Sequence, residues 1–370
     1  MGFQCGIVGL PNVGKSTVFN ALTSGKAEAA NYPFCTIDPN TGIVKVPDHR
    51  IEDISKYIPT DRLVYATMTF VDIAGLVKGA SKGEGLGNQF LGHIRETNAI
   101  AHVVRCFSDP NVVHVDGSVD PVRDVSVIDT ELILADLETV NKRFTNIQKT
   151  ARSGDKKAAA VLGVIEPVKN ALESGRTARS LYLSEDQLSL IQDFHLITAK
   201  KILYVANVDE ADATLDEAQL PSGSPVARLI EHAKAEGSPV VIICGKIEAE
   251  LSELSESEKQ GFLSELGMKE PGLNKVIRAG YDLLGLQTFL TAGKTEVRAW
   301  TIQKGWRAPQ AAGVIHTDFE KGFIKAEVYH FDDLMKYKSE QAIREAGTLR
   351  LEGKEYIVRD GDIMHFRFAV

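Results

Sequence analysis

The stretch Gly9-Leu-Pro-Asn-Val-Gly-Lys-Ser16 decides the fold class of this chain. It has the pattern G-x-x-x-x-G-K-S of the loop that cradles phosphates in nucleotide hydrolases and kinases. The apolar run at residues 5–8 predicts a strand before the loop, and residues 17–22 predict an amphipathic helix after it. Backbone N–H groups and the positive end of the helix dipole then face one point. We therefore predict a doubly wound α/β domain that binds a nucleoside triphosphate; a chance glycine-rich turn with a surface lysine is the alternative.

Two side chains of this loop have predicted roles in phosphate chemistry. Lys15 is expected to reach the β- and γ-phosphates, and the Ser16 hydroxyl is expected to ligate Mg²⁺. The loop identifies neither the base nor the use made of the energy. The nucleotide contacts predicted in this segment are Asn12, Val13, Gly14, Lys15, Ser16 and Thr17.

Length and composition restrict the class of protein. A chain of 370 residues suggests two or three domains. The net charge of −8 argues against a surface that binds nucleic acid throughout, although a local basic patch remains open, and we expect no DNA partner. The N-terminus lacks signal-peptide character and no apolar run reaches membrane-spanning length, so we expect a cytoplasmic protein without a membrane partner. Buried free thiols are expected for the scattered cysteines, which are Cys5, Cys35, Cys106 and Cys244.

The second part of the predicted nucleotide site is Asp72-Ile-Ala-Gly75, which follows an apolar strand pattern. Asp72 is expected to hold a Mg²⁺-bound water, and the Gly75 N–H can reach the γ-phosphate because no Cβ blocks it. Thr36, in an extended stretch after Pro33, is predicted to add a second hydroxyl to Mg²⁺; an ordinary loop threonine is the alternative. A D-x-x-G pattern downstream of a phosphate loop favours a switch-type hydrolase over a small-molecule kinase.

The residue after this motif is Leu76, where many such hydrolases carry a glutamine that orients water. An aliphatic side chain cannot orient water. We therefore expect either slow basal hydrolysis or a different group that activates water.

The predicted base-reading segment is Asn207-Val-Asp-Glu210, which follows an apolar strand at residues 201–206. Guanine-specific relatives carry N-K-x-D here, and its aspartate accepts two hydrogen bonds from guanine. Val208 replaces the lysine, and the longer Glu210 misplaces the acceptor, so guanine selectivity is expected to be lost. Asn207 is expected to hydrogen-bond a purine N7 or an adenine amino group. A further strand at residues 239–244 leads to the expected fifth contact region, to which we assign no base contact.

Two attachments to the nucleotide domain are predicted. Apolar residues recur at alternating steps of 3 and 4 across residues 133–151 and again across 158–172, around a turn in which Asp155 caps the second helix. This predicts an antiparallel helical hairpin with Pro167 in its second helix. The basic tip could touch RNA phosphates, with a solvated charge run as the alternative. Its basic residues are Lys149, Arg152, Lys156 and Lys157.

The C-terminal part is predicted to be a small β-rich domain. Strands are expected near residues 289–292, 296–302, 327–331, 356–359 and 363–368, with a helix at 310–319 and a hairpin turn at Gly361. The predicted domains are thus a nucleotide domain at 1–130 and 200–280, a helical hairpin at 131–199, and a third domain at 281–370.

The motifs at residues 9–17, 31–38, 72–80, 83–91 and 207–210 together resemble the YchF, or Obg-like ATPase, family. The resemblance covers nearly the whole chain, and its most specific part is N-x-x-E in place of N-K-x-D. It implies a Mg²⁺-dependent ATP hydrolase of slow turnover that binds ATP more tightly than GTP and associates with the ribosome or ribosomal RNA. It also implies that residues 281–370 resemble a TGS domain, a ubiquitin-like β-grasp module.

Two further roles follow from the resemblance. Asn12 corresponds to an asparagine that ligates K⁺ in potassium-activated relatives; a turn asparagine that caps its own backbone is the alternative. His114, in a polar loop after a predicted strand, is implied as a water activator, with an exposed histidine of no role as the alternative. Two rival functions stay open, a GTPase of the same fold and an RNA- or ribosome-binding scaffold with incidental turnover. The oligomeric state is left open too.

Overall fold

The computed structural model describes residues 3–24, 40–73, 86–112 and 117–369. The predictions for Thr36, Gly75, Leu76 and His114 lie outside these residues. Within them, the strands are β1 (Gln4–Val8), β2 (Thr41–Lys45), β3 (Leu63–Val64), β4 (Thr67–Asp72), β5 (Ala99–Arg105), β6 (Lys201–Asn207), β7 (Val240–Ile243), β8 (Leu286–Ala292), β9 (Val297–Gln303), β10 (Phe323–His330), β11 (Arg350–Glu352) and β12 (Asp362–Phe368).

In the first part of the described chain, helices alternate with strands, and in its last part short helices lie between the strands. The helices are α1 (Lys15–Ser24), α2 (Arg50–Ser55), α3 (Leu86–Glu96), α4 (Pro121–Arg152), α5 (Lys156–Glu173), α6 (Glu185–Leu190), α7 (Pro225–Ala235), α8 (Gly245–Glu253), α9 (Glu256–Glu265), α10 (Gly272–Leu283), α11 (Ala308–Ile315), α12 (Thr317–Lys321), α13 (Phe331–Tyr337) and α14 (Glu340–Glu345). None of them is long and apolar enough to span a bilayer.

The first of two compact units comprises residues 1–42 and 69–280. Its sheet has the strand order β2-β4-β1-β5-β6-β7, and strands β4, β1, β5, β6 and β7 pair in parallel. All seven residues of β5 are buried, because a central parallel strand is covered on both faces. This confirms the predicted α/β fold, and parallel strands direct their carboxyl ends, where ligands bind, to one edge.

The helical hairpin lies in this first unit. Helices α4 and α5 pack through a core of their own, in which Val140, Ile165 and Val168 are fully buried. Asp155 caps α5 as predicted, since its side chain accepts a hydrogen bond of 2.8 Å from Ala158 N. Helix α4 begins ten residues earlier than the predicted hairpin boundary at residue 131, at Pro121. Its first turns bury Val125 in the nucleotide unit, so the arm continues a helix of that unit.

The second unit comprises residues 43–68 and 281–370. Its sheet has the order β11-β10-β12-β8-β9-β3, with β12 parallel to β8 and the hairpin partners antiparallel. A parallel central pair flanked by two antiparallel partners is the arrangement of a β-grasp sheet. Residues 43–68 group with this unit instead of the nucleotide unit in which the sequence placed them, because β3 pairs with β9.

Two local predictions for this unit were wrong. Residues 356–359 form only an isolated bridge between Arg307 and Ile357, so the predicted strand and its hairpin at Gly361 are absent from the described chain. The strand that precedes β12 is instead the short strand β11. The predicted helix at 310–319 is two helices, α11 and α12, which break at His316. There the extended backbone (φ −159°, ψ 140°) and the imidazole together cap α12.

Candidate functional site

The phosphate loop joins β1 to α1 in the predicted geometry. Two residues of the loop have left-handed backbone conformations, Asn12 with φ 63° and Gly14 with φ 89°. Glycine is required at position 14 for a second reason: a Cβ there would lie 2.2 Å from Asn207 Nδ2. The loop therefore closes tightly against β6 and leaves the first N–H groups of α1 at the sheet edge.

The lysine predicted for phosphate and the aspartate predicted for magnesium meet at this edge. Lys15 Nζ donates a hydrogen bond to Asp72 Oδ1, and the lysine side chain is largely buried. The contact arises because Asp72 is the last residue of β4 and pairs in register with Ile7 of β1. Strand β1 leads into the phosphate loop, so the end of β4 lies beside that loop. The site thus combines a fixed cation with a carboxylate that is still partly exposed.

The residues present fit a magnesium ion chemically. Ser16 and Thr17 begin α1 with exposed side chains, and Asp72 supplies a carboxylate nearby. Hydroxyl and carboxylate oxygens are the hard ligands that Mg²⁺ prefers, usually alongside substrate phosphates. Among the described residues no cluster of three or more His, Cys, Asp or Glu side chains could hold a metal.

Asn207 connects the phosphate loop to the predicted base region. Its Nδ2 donates to Val13 O at 2.9 Å, and its Oδ1 accepts from Gly245 N at 2.8 Å. The side chain is 5% exposed. Both polar atoms are thus engaged within the protein, which makes Asn207 a tie between two loops; its predicted contact with a purine stays a prediction.

A cavity of about 830 Å³ opens beside the phosphate loop. Val208 is 2% exposed, and Glu210 at the cavity accepts a hydrogen bond of 2.5 Å from Lys246 Nζ. The lining residues are Asn12, Gly14, Thr17, Phe107, Ser108, Asp109, Pro110, Val112, Asn207, Val208, Asp209, Glu210, Ala211, Cys244, Gly245, Lys246 and Ala249. The fold therefore brings the phosphate loop and the N-x-x-E segment to one cavity of a size that suits a nucleoside.

The polar loop after β5 was predicted, but its part at residues 107–112 was not predicted to form one wall of this cavity. Phe107, Pro110 and Val112 give it apolar character, and Ser108 N donates to Asp209 Oδ2 at 3.1 Å. The one signal in the sequence was Arg105, a charged residue at the end of a strand that is apolar except for His102.

The three described cysteines are protonated thiols. Burial raises the pKa of Cys5 to about 12 and raises the pKa of Cys106 and Cys244 as well. The prediction of buried free thiols is confirmed for these three, and Cys35 lies outside the described residues. None of the three is a nucleophile in this environment, because only the thiolate attacks.

A phosphate-binding loop, a strand-end aspartate beside its lysine and a base cavity on a doubly wound sheet define the chain as a P-loop nucleoside-triphosphate hydrolase. Residues 4–135 match the family model described as a 50S ribosome-binding GTPase. Residues 286–369 match the C-terminal YchF-GTPase model, described as a protein of unknown function (DUF933).

Comparison with whole proteins extends the match along the chain. Proteins named ribosome-binding ATPase YchF are 54% identical in Bacillus subtilis and 55% identical in Escherichia coli O157:H7, with each chain covered completely. The solved structure of the Schizosaccharomyces pombe YchF GTPase superimposes with a TM-score of 0.86 at 40% identity, and covers 99% of this chain and 98% of that one. The chain belongs to the YchF family.

Proposed function

We propose that this chain is a Mg²⁺-dependent ATPase that hydrolyses ATP to ADP and phosphate and acts as a nucleotide switch on the ribosome. The observation that carries the proposal is the contact of Lys15 with Asp72 beside a nucleoside-sized cavity. The YchF proteins of B. subtilis and E. coli are named ribosome-binding ATPases, which supports the same activity here. A chain that works on ribosomes is expected in the cytoplasm.

In this proposal each residue at the phosphate end of the site has its own role. Lys15 holds the β- and γ-phosphates and offsets the charge that develops on transfer, together with the N–H groups at the start of α1. Ser16 and Thr36 would ligate Mg²⁺ and Asp72 would hold it through water. The ion supplies charge neutralisation on the phosphate oxygens. Gly75 and His114 keep their predicted roles at the γ-phosphate and the attacking water, and Asn12 keeps its predicted role toward K⁺.

The base end favours adenine over guanine. Guanine binding in N-K-x-D proteins needs a free carboxylate that accepts two hydrogen bonds. Glu210 is one methylene longer than that aspartate and is paired with Lys246, and Val208 brings no polar group. The site therefore lacks a carboxylate that could accept the two hydrogen bonds of guanine, and GTP is expected to bind more weakly than ATP.

The hairpin tip is the proposed contact with ribosomal RNA. Lys149, Arg152, Lys156 and Lys157 are exposed there, with Asp155 the acid among them. Exposed lysine and arginine side chains on an extended arm suit RNA phosphates, and such binding weakens with salt.

One experiment tests the proposal: affinities for ATP, GTP, ADP and GDP with Mg²⁺, measured by calorimetry with and without ribosomes, alongside phosphate release. The proposal expects ATP to bind more tightly than GTP and ribosome binding to change with the nucleotide. GTP tighter than ATP by about tenfold or more, which is about 1.4 kcal/mol or more, would make the protein a GTPase. Ribosome binding that is identical in all nucleotide states would favour the scaffold.

A further inference from the structure

Arg105 is a buried cation at the end of β5, next to the nucleotide cavity. It is 2% exposed and pairs in register with Asn207 on the neighbouring strand β6. Cys106 N also donates to Asn207 O at 2.8 Å, so the two strand ends are tied together where the base segment begins. A guanidinium so deeply buried needs hydrogen-bond acceptors to offset the loss of water.

Among the described residues, those acceptors are main-chain carbonyls of one loop, the loop at residues 107–112. The Nε of Arg105 donates to Phe107 O at 3.2 Å, Nη1 donates to Val112 O at 2.9 Å, and Nη2 donates to Asp109 O at 3.2 Å. The guanidinium also lies over the Phe107 ring, with Cζ at 4.4 Å from the ring centroid. One side chain therefore fixes both ends and the middle of the loop.

This loop is a wall of the nucleotide cavity. Its residues 107–110 and 112 line the cavity, whereas Arg105 is absent from the lining among the described residues. A second anchor comes from the base segment itself, where Asp209 Oδ2 accepts a hydrogen bond from Ser108 N. The position of the wall is thus set by Arg105 from β5 and by Asp209 from the segment after β6.

We infer that Arg105 is a positioning residue for the nucleoside part of the nucleotide, acting through the loop at 107–112. The inference rests on the proposed nucleotide function and deepens it. A flexible loop would have to be ordered at each binding event, which lowers affinity, whereas a loop held in advance costs nothing further. The phosphate end is held by Lys15 and the start of α1, so Arg105 contributes to binding of base and ribose and not to phosphate transfer.

Three variants separate this role from general damage. Arg105→Lys keeps the positive charge but cannot bond three carbonyls in a planar fork, and Arg105→Met removes all donors at similar length. Asp209→Ala removes the second anchor from an exposed position. Arg179→Lys is the matched control, a largely buried arginine of the same unit that bonds Asp129 and does not line the cavity.

The readouts are KM and kcat for ATP, the Kd of ADP, and the inhibition constant of tripolyphosphate, with circular dichroism to check folding. We expect Arg105→Met to raise KM for ATP and Kd for ADP by about 10- to 100-fold, the range that lost charge-assisted hydrogen bonds produce. Arg105→Lys and Asp209→Ala should change them in the same direction by less. The kcat at saturating ATP and the tripolyphosphate constant should stay near the parental values, and Arg179→Lys should match the parent throughout.

Folded Arg105 variants with parental KM would overturn the inference, as would an equal loss of tripolyphosphate binding or an equal effect of the control. If Arg105→Met does not fold, Arg105→Lys and Asp209→Ala decide the question by the same criteria. The two claims fail differently. If the parent protein does not bind ATP, the proposed function is refuted. If the parent binds ATP and the Arg105 variants bind it equally tightly, only the inference about Arg105 is refuted.

Discussion

At the scale of single residues, Lys15 and Asp72 could be predicted because each belongs to a short motif that fixes its own backbone. The strand, turn and helix around Lys15 follow from local sequence, and the parallel register of β1 with β4 then brings Asp72 to it. Arg105 could not be predicted in the same way. Its partners are carbonyl groups, which every residue carries, so only the folded path of the loop reveals the contact.

Replacing Lys15 by alanine is expected to abolish ATP turnover, because the γ-phosphate loses its main cationic partner. Loss of a single group that stabilises the transition state typically costs about 10²–10³-fold in rate. Phosphate release at saturating ATP measures this. Lys142→Ala, at an exposed position of α4 where the lysine pairs with Glu138, is the control and should keep the basal rate. A Lys15→Ala protein of near-parental rate would place the active site elsewhere.

The base preference is the second prediction at this scale. ATP should bind more tightly than GTP by about 5- to 150-fold, the worth of one bidentate contact. Glu210→Asp should narrow this gap, because the shorter carboxylate approaches the geometry of the guanine acceptor. Glu217→Asp is a matched control, since Glu217 is an exposed partner of Lys234 away from the cavity. Calorimetric titration of both nucleotides gives the ratio, and an unchanged ratio in Glu210→Asp would contradict the prediction.

At the scale of elements, prediction succeeded where the chain has strong local periodicity. The hairpin helices follow from apolar residues at helical spacing, and the central strands follow from continuous apolar runs. Strands β8, β9, β10 and β12 of the C-terminal unit were also predicted, whereas its short edge strands β11 and β3 were not. Strand β11 has three residues with an exposed Leu351, so it offers no alternation that a sequence could reveal.

Loss of the cap at Asp155 should destabilise the hairpin locally. Asp155→Ala leaves Ala158 N without its acceptor and is expected to cost about 0.5–2 kcal/mol, whereas Asp155→Asn should retain most of the cap. Amide hydrogen exchange in the first turn of α5 measures the effect, which should appear as faster exchange there and no change in the central strands. Equal exchange in both variants would show that the turn is held by other contacts.

At the scale of the whole molecule, the assignment of residues 43–68 was the main misprediction. They follow the first helix of the nucleotide unit in sequence, yet the two-residue strand β3 pairs in parallel with β9 more than two hundred residues later. A pairing this short and this distant leaves no pattern in the sequence. Motifs and periodicity identified the nucleotide fold, while the division of the chain between units required three-dimensional contacts.

A buried polar cluster inside the first unit gives the molecule a predicted sensitivity to acid. His102 of β5 is 1% exposed, and its ring lies 5.7 Å from the ring of Tyr204, whose hydroxyl donates to Glu236 at 2.9 Å. Arg179 Nη2 donates to both oxygens of Asp129 at 2.8 and 3.0 Å. The pKa of His102 is lowered from 6.5 to about 4, chiefly by burial; Asp129 acts to raise it, and Arg179 and His232 act to lower it.

Stability should therefore fall as the pH drops from 6.5 toward 4. In that window the unfolded chain binds a proton at His102 and the folded chain does not. The free energy of unfolding therefore rises with pH by up to about 1.4 kcal/mol per pH unit, and His102 causes no further rise above pH 6.5.

The variant His102→Phe keeps the ring contact and removes the titration. Urea unfolding at several pH values should give a shallower slope for this variant, by up to one proton. Equal slopes for the parent and His102→Phe would mean that water or a shifted neighbour solvates the imidazolium in the folded protein.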